Sequence, residues 1–161
     1  MKMIDFGCFI IILAAINFST PVHADDSNKD IFVSNAWVQA MPPSQTTTAA
    51  YMTITNNSQK EIILVKASSD IAAAAEIHHM SDTNGMMTMG MVLSVHVPAL
   101  GKVTLQPGGF HVMLIHLKKV VNKGDIVPIK LYFQDGREVL IQAQAKLSQQ
   151  DDSPGMSGMK M

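Results

Sequence analysis

The sequence is short of cysteine, of aromatic residues, of charge, and of any apolar run long enough to cross a bilayer. Its one cysteine, Cys8, sits near the start of 161 residues, outside any lipobox-like setting. There is no second thiol to bridge, and nothing beyond Cys8 to supply a thiolate, so disulfides and cysteine metal sites are both excluded from the rest of the chain. Charged residues are 16% of the total and the net charge is −1. A chain without a basic excess lacks the electrostatic footprint of a nucleic-acid binder. The longest apolar run, Phe6 to Phe18, has 13 residues, against the roughly 20 that a spanning helix needs.

That run has a different meaning. Lys2 precedes it and Val22-His23-Ala24 follows, with small residues placed for cleavage before Asp25. Residues 1–24 therefore read as a signal peptide, with no stable membrane insertion after its removal and a destination outside the cytoplasm. Cleavage takes Lys2 and Asp5 together, so the net charge is unchanged. What remains is long enough for one domain with a core that folds without staples. Cys8 leaves with the signal. In an oxidising compartment, where thiol pairs tend to oxidise, a soft-metal site in this protein has to use other ligands.

Methionine is the residue in excess. Of 13 methionines, Met1 and Met3 lie in the signal, and five fall between Met80 and Met91. Met41 and Met52, isolated from that group, read as adaptable core filler. The cluster, interleaved with histidine, asks for more than filling.

Most of the chain reads as short extended segments separated by turns. The expected strands are Ile31 to Gln39, Tyr51 to Thr55, Glu61 to Ala67, Met86 to Val97, Lys102 to Leu105, Phe110 to Leu117, Val127 to Phe133 and Glu138 to Ala143. Turns between them are marked by Asn56-Asn57-Ser58, Asn84-Gly85, Pro107-Gly108-Gly109, Asn122-Lys123-Gly124 and Asp135-Gly136. Strands at this spacing indicate an all-β sandwich or barrel. One stretch resists: Asp70 is a fair helix cap for Ala72 to Glu76, so its beginning is expected irregular or helical, with Glu76 to Ser81 as strand. Residues 25–148 form the expected domain, and the polar stretch 149–161 reads as a flexible, methionine-containing tail.

If Asn84-Gly85 makes a two-residue turn, Thr83 faces Met86, Met80 faces Met89 and His78 faces Met91. Alternation then places His78, Met80, Met87, Met89 and Met91 on one face, with His79 and Met86 on the other. Directly opposed residues have Cβ atoms roughly 4.5 to 5.5 Å apart, close enough for a nitrogen and several thioethers to converge. In the strand Phe110 to Leu117, His111 and Met113 share a face, and His116 has the opposite parity. Two imidazoles with two thioethers make a soft, neutral donor set, suited to Cu(I) better than to Zn(II), Mg(II) or Ca(II). Neutral ligands leave the ion's charge unbalanced, so a thiolate acceptor should draw it away. Lone histidines are usually satisfied core or surface residues, and His79, His96 and His116 are read that way.

His78 and Met89 enclose ten residues, Met89 and His111 enclose twenty-one, and His111-Val112-Met113 completes a His-x-Met. In this spacing the sequence resembles the periplasmic PCu(A)C copper chaperones. The likeness extends from Ala36-Trp37 and Ala49-Ala50-Tyr51-Met52 through Pro107-Gly108-Gly109-Phe110-His111 to Gly124-Asp125. It implies a cupredoxin-like Greek-key β-sandwich whose metal ligands are His78, Met89, His111 and Met113. It also implies delivery of Cu(I) to the dinuclear copper centre of cytochrome c oxidase, through the oxidase copper subunit or a thiol-containing assembly factor. The chain departs from the family's pattern at His79 and His116, and its tail carries Met156, Met159 and Met161 without histidine.

Other classes fit less well. An electron-transfer cupredoxin normally needs a cysteine thiolate on its copper. An enzyme reading would start from Ser81 near His79 or Ser94 near His96, but neither pair has a nucleophile elbow or a carboxylate context. A copper-sequestering or resistance protein would use the same ligands and never hand the ion on, so it stays open as the alternative.

Overall fold

A computed structural model describes residues 29–83 and 85–147; the expected signal peptide, the tail at 149–161 and Asn84 lie outside the described residues. Within them the protein is all β. The strands are β1 (Ile31–Gln39), β2 (Thr47–Asn56), β3 (Ile62–Ser68), β4 (Ala72–Thr83) and β5 (Met86–Met91). They continue as β6 (Val95–Val97), β7 (Gly101–Leu105), β8 (Phe110–Leu117), β9 (Ile126–Phe133) and β10 (Glu138–Lys146). This is the cupredoxin-like sandwich that the sequence resemblance implied.

Hydrogen bonding runs in the order β5-β4-β8-β2-β1-β10-β9-β3-β6, with β7 also on β2. β2 divides its length between two partners: Thr47 to Ala50 pair with β8, and Met52 to Asn56 pair with β7. β1 likewise pairs antiparallel with β2 and parallel with β10, across an irregularity between Ser34 and Trp37 where Asn35 adopts a left-handed φ of 52°. These two strands carry the chain round the corner, and β3 comes to lie against β4 without pairing to it. Such switching, with an added residue bending one strand, is how a twisted sheet folds back on itself.

The core follows from alternation. On β10, Ile141, Ala143 and Ala145 are buried and Gln142 and Gln144 exposed. On β2, Ala50, Met52 and Ile54 point inward, and on β4 and β8 the inward residues include Ile77, Val112 and Leu114. Met52 therefore is the core filler expected of it, whereas Met41 is only half-buried.

Two expectations are corrected. The stretch expected to be irregular or helical after Asp70 is strand from Ala72 onward, with Ala72 opposite Leu117, Ala74 opposite Ile115 and Ala75 opposite Leu114. Four alanines are too few to stabilise a helical nucleus alone, and a ladder to β8 satisfies their backbone groups, so tertiary pairing overrides propensity. The run expected from Met86 to Val97 is two strands. β5 returns along β4, then the chain leaves at Val92 to Ser94 so that β6 can pair with β3.

Asn56, expected as a turn residue, ends β2 as a fully buried tie between loops. Its Nδ2 donates to the carbonyls of Lys60 (2.7 Å), Pro98 (3.0 Å) and Val97 (3.3 Å), and its Oδ1 accepts from the Ser58 amide and hydroxyl at 3.0 and 2.7 Å. Asn56→Ala strands buried carbonyls that each cost on the order of 1–3 kcal/mol, so urea denaturation should show a loss of about 3 kcal/mol. Asn57→Ala, at an exposed neighbour, should stay within about 0.5 kcal/mol of the parent.

Candidate metal centre

The site is built on the outer face of the β5-β4-β8 ribbon, opposite the side that carries Ile77, Val112 and Leu114. The hairpin register is the one counted from the sequence: Thr83 faces Met86, Met80 faces Met89 and His78 faces Met91. Gly85 supplies the left-handed φ of 79° that the turn requires, and its amide donates to Asp82 Oδ1 at 2.7 Å. On the other side of β4, His78 faces His111 and Glu76 faces Met113. A strand alternates its faces, so Glu76, His78, Met80, Met87, Met89, Met91, His111 and Met113 all lie on one side of the sheet.

Across that face runs a row of rings. The His78 and His111 centroids are 5.9 Å apart, His111 and Tyr51 are 6.3 Å apart, and Tyr51 stacks on Trp37 at 4.5 Å. This wall closes the inner side of the site: His111 is 3% exposed and Tyr51 is buried. Burial also pushes the Tyr51 phenol above its ordinary pKa, so the phenol stays uncharged. The opposite side is open. Met89 is 54% and Met91 60% exposed on β5, the edge strand.

Hydrogen bonds fix how each histidine is presented. His111 Nδ1 lies 3.0 Å from the Gly109 carbonyl. A carbonyl only accepts, so Nδ1 carries the proton and Nε2 keeps a lone pair. His78 is held the other way round: its Nε2 lies 2.9 Å from a carboxylate oxygen of Glu76, which again only accepts. In the neutral ring His78 Nδ1 is then the nitrogen with the lone pair, and it is buried with no hydrogen-bond partner. A buried lone pair without a donor is costly unless something else occupies it. Among the described residues no three His, Asp or Glu side chains gather as a metal group. The thioethers of Met80, Met87, Met89, Met91 and Met113 share the face that carries the two imidazoles.

The register sets His78 straight across from His111, while Met113 stands across from Glu76, one diagonal step from His78 toward the start of β4. Met89 lies one diagonal step from His78, and Met91 stands straight across from it. Sequence counting gave the same shared face and left Met80, Met87 and Met91 as neighbours. The other histidines are elsewhere. His79 points to the opposite face, its ring 4.3 Å from that of Phe110. His116 is exposed at a positive φ of 52°, and His96 is 3.2 Å from Glu61 at the surface. One residue of the face has no part in the sequence reading of the site: Glu76, two positions before His78, shares its face by the same parity argument.

Comparison with known proteins places this geometry. Residues 31–145 match the family described as putative lipoprotein LpqE-like. A putative lipoprotein of Leifsonia xyli subsp. xyli is 35% identical over 131 residues, which cover 81% of this chain and 75% of that protein. The solution structure of Cu(I)-bound DR1885 from Deinococcus radiodurans is 43% identical, covering 69% of this chain and 74% of its own, with a TM-score of 0.56. The copper-bound PCuAC domain of PmoF2, 23% identical, shares the fold at a TM-score of 0.62, with 74% of this chain and 94% of that one covered. With a family match spanning most of its length and the His-Met spacing laid out on a single sheet face, this chain belongs to the LpqE-like, PCuAC-type family.

Proposed function

We propose that this protein is an exported, periplasmic carrier that binds one Cu(I) through His78, Met89, His111 and Met113 and hands it to another copper protein. The observation that carries the reading is the cross-strand His78–His111 pair, each ring engaged through one nitrogen only, on a sheet face that also carries methionines. Two imidazoles and two thioethers suit a soft, closed-shell monovalent ion. The Cu(I)-bound state of the similar protein from Deinococcus radiodurans supports the same cargo. The two lipoprotein descriptions support export, as does the apolar segment that precedes the domain.

Delivery is favoured over storage by where the thioethers stand. A storage site gains by enclosing its ion, whereas here Met89 and Met91 lie more than half exposed on an edge strand. An incoming thiolate can add to the ion from that side before Met89 leaves, which avoids release of free Cu(I). The acceptors whose chemistry fits are the dinuclear copper centre of cytochrome c oxidase and a thiol-containing assembly factor. No step of this function requires bond-making catalysis by the chain itself, so we read it as a non-enzymatic carrier.

Anaerobic titration with Cu(I) should saturate at one ion per domain. Replacing His111 or Met113 by Ala should weaken binding by about 100-fold or more, exceeding the roughly 10–100-fold typical of residues behind a ligand. His79→Ala and His116→Ala should leave affinity near that of the parent. Equal losses at all four positions would refute the ligand assignment.

Transfer is tested separately. The loaded protein should pass Cu(I) to an apo oxidase copper domain or a thiol-containing partner faster than the ion dissociates unaided, and deletion should lower oxidase activity in copper-poor medium, with partial rescue by added copper. Transfer no faster than dissociation, together with a strain that is only copper-sensitive, would instead establish sequestration.

A further inference from the structure

The Glu76–His78 contact belongs to neither the ligand set nor the core, and its geometry is specific. The two residues sit two apart on β4, on the same face, 2.9 Å between a carboxylate oxygen and Nε2. Glu76 is partly exposed, so its carboxylate is not sealed in the interior for want of space. Nothing else bonds to the His78 ring, whose Nδ1 is buried and unpartnered. The second histidine is oriented by a neutral carbonyl through the opposite nitrogen.

We propose that Glu76 is a positioning residue for the metal: by accepting the Nε2 proton of His78 it fixes that tautomer, so His78 offers Cu(I) its Nδ1 while His111 offers Nε2. The inference rests on the copper-binding reading and goes one step deeper into the same site. Its physical content is twofold. A ring locked by a carboxylate does not have to reorient or exchange its proton when the ion arrives, and a carboxylate behind an imidazole makes the imidazole a stronger donor. Glu76 also brings a negative charge next to a donor set that is otherwise neutral, offsetting the charge of the bound ion. The carboxylate thus sets how firmly the carrier holds its cargo.

The distinguishing measurement is long-range proton–nitrogen NMR of the histidine rings in the 15N-labelled chain, before and after one equivalent of Cu(I) under anaerobic conditions. Without metal, His78 should show a protonated Nε2 and an unprotonated Nδ1. With metal, Nδ1 of His78 and Nε2 of His111 should move, while Nε2 of His78 stays protonated. Glu76→Ala should release the ring to a mixture of tautomers and weaken Cu(I) binding by about 10–100-fold. Glu76→Gln, whose side-chain oxygen still accepts the Nε2 proton, should keep the tautomer and lose less affinity. A shift at His78 Nε2 in place of Nδ1 on loading, or unchanged affinity in Glu76→Ala, overturns the role of Glu76 and leaves the copper site standing. If neither histidine ring responds to Cu(I), the copper site itself is refuted, and Glu76 loses its role with it. The wild-type spectra decide the tautomer even if Glu76→Ala proves too unstable to measure.

Discussion

Everything that gives this molecule a site depends on β4 being paired on both sides in fixed register. With β5 along one edge and β8 along the other, a single strand aligns donors from three stretches of sequence: His78 lies between Met91 and His111, and Glu76 beside Met113. A one-residue slip in either ladder would turn a whole row of side chains to the other face. It would bring His79 and Met86 to the front in place of His78 and the other methionines. The register is held by different means on each side. Toward β5 it is pinned by the Gly85 turn and the Asp82 cap. Toward β8 it is pinned by burial, because Ile77, Val112 and Leu114 must all reach the core on the reverse face.

That division explains what could be read from residues alone. The hairpin is local: a turn signal plus alternation is enough to count opposed pairs, and the counted pairs are the observed ones. The β4–β8 pairing joins residues more than thirty apart, and no periodicity within either segment specifies which strands become neighbours. The spacing of His78, Met89 and the His111-Val112-Met113 unit pointed there only through resemblance to a family. Parity within Phe110 to Leu117 did separate His111 and Met113 from His116, since that separation needs only one strand.

The misreadings have the same origin. Ala72 to Ala75 are residues with little to say locally, so helix propensity filled the silence, and only the ladder to β8 made them strand. The break between β5 and β6 was hidden because Val92 and Leu93 continue the apolar character of the run, while the reason for leaving the hairpin is a partner, β3, distant in sequence. Asn56 looked like one polar turn residue among three, yet burial makes its five hydrogen bonds a structural joint. In each case the deciding partner lay outside the window that propensity or pattern can see.

Glu76 changes the charge argument made from composition. Two imidazoles and two thioethers bring no negative charge, which by itself implies loose holding of a cation. A carboxylate one hydrogen bond behind His78 shifts that balance without becoming a ligand, and it does so from a partly exposed position where water and salt moderate its field. The thioether side, by contrast, is set by access: Met89 and Met91 are reachable from solvent, and the imidazole side is walled by Tyr51 and Trp37. Tightness and lability are thereby assigned to opposite sides of the same site. On the proposed reading, the two histidines with Met113 on β8 form the inner side, and Met89 and Met91 on the edge strand form the face at which an incoming ligand can compete. A carrier needs that asymmetry, because an ion held equally from all sides would have to be freed before it could be passed on.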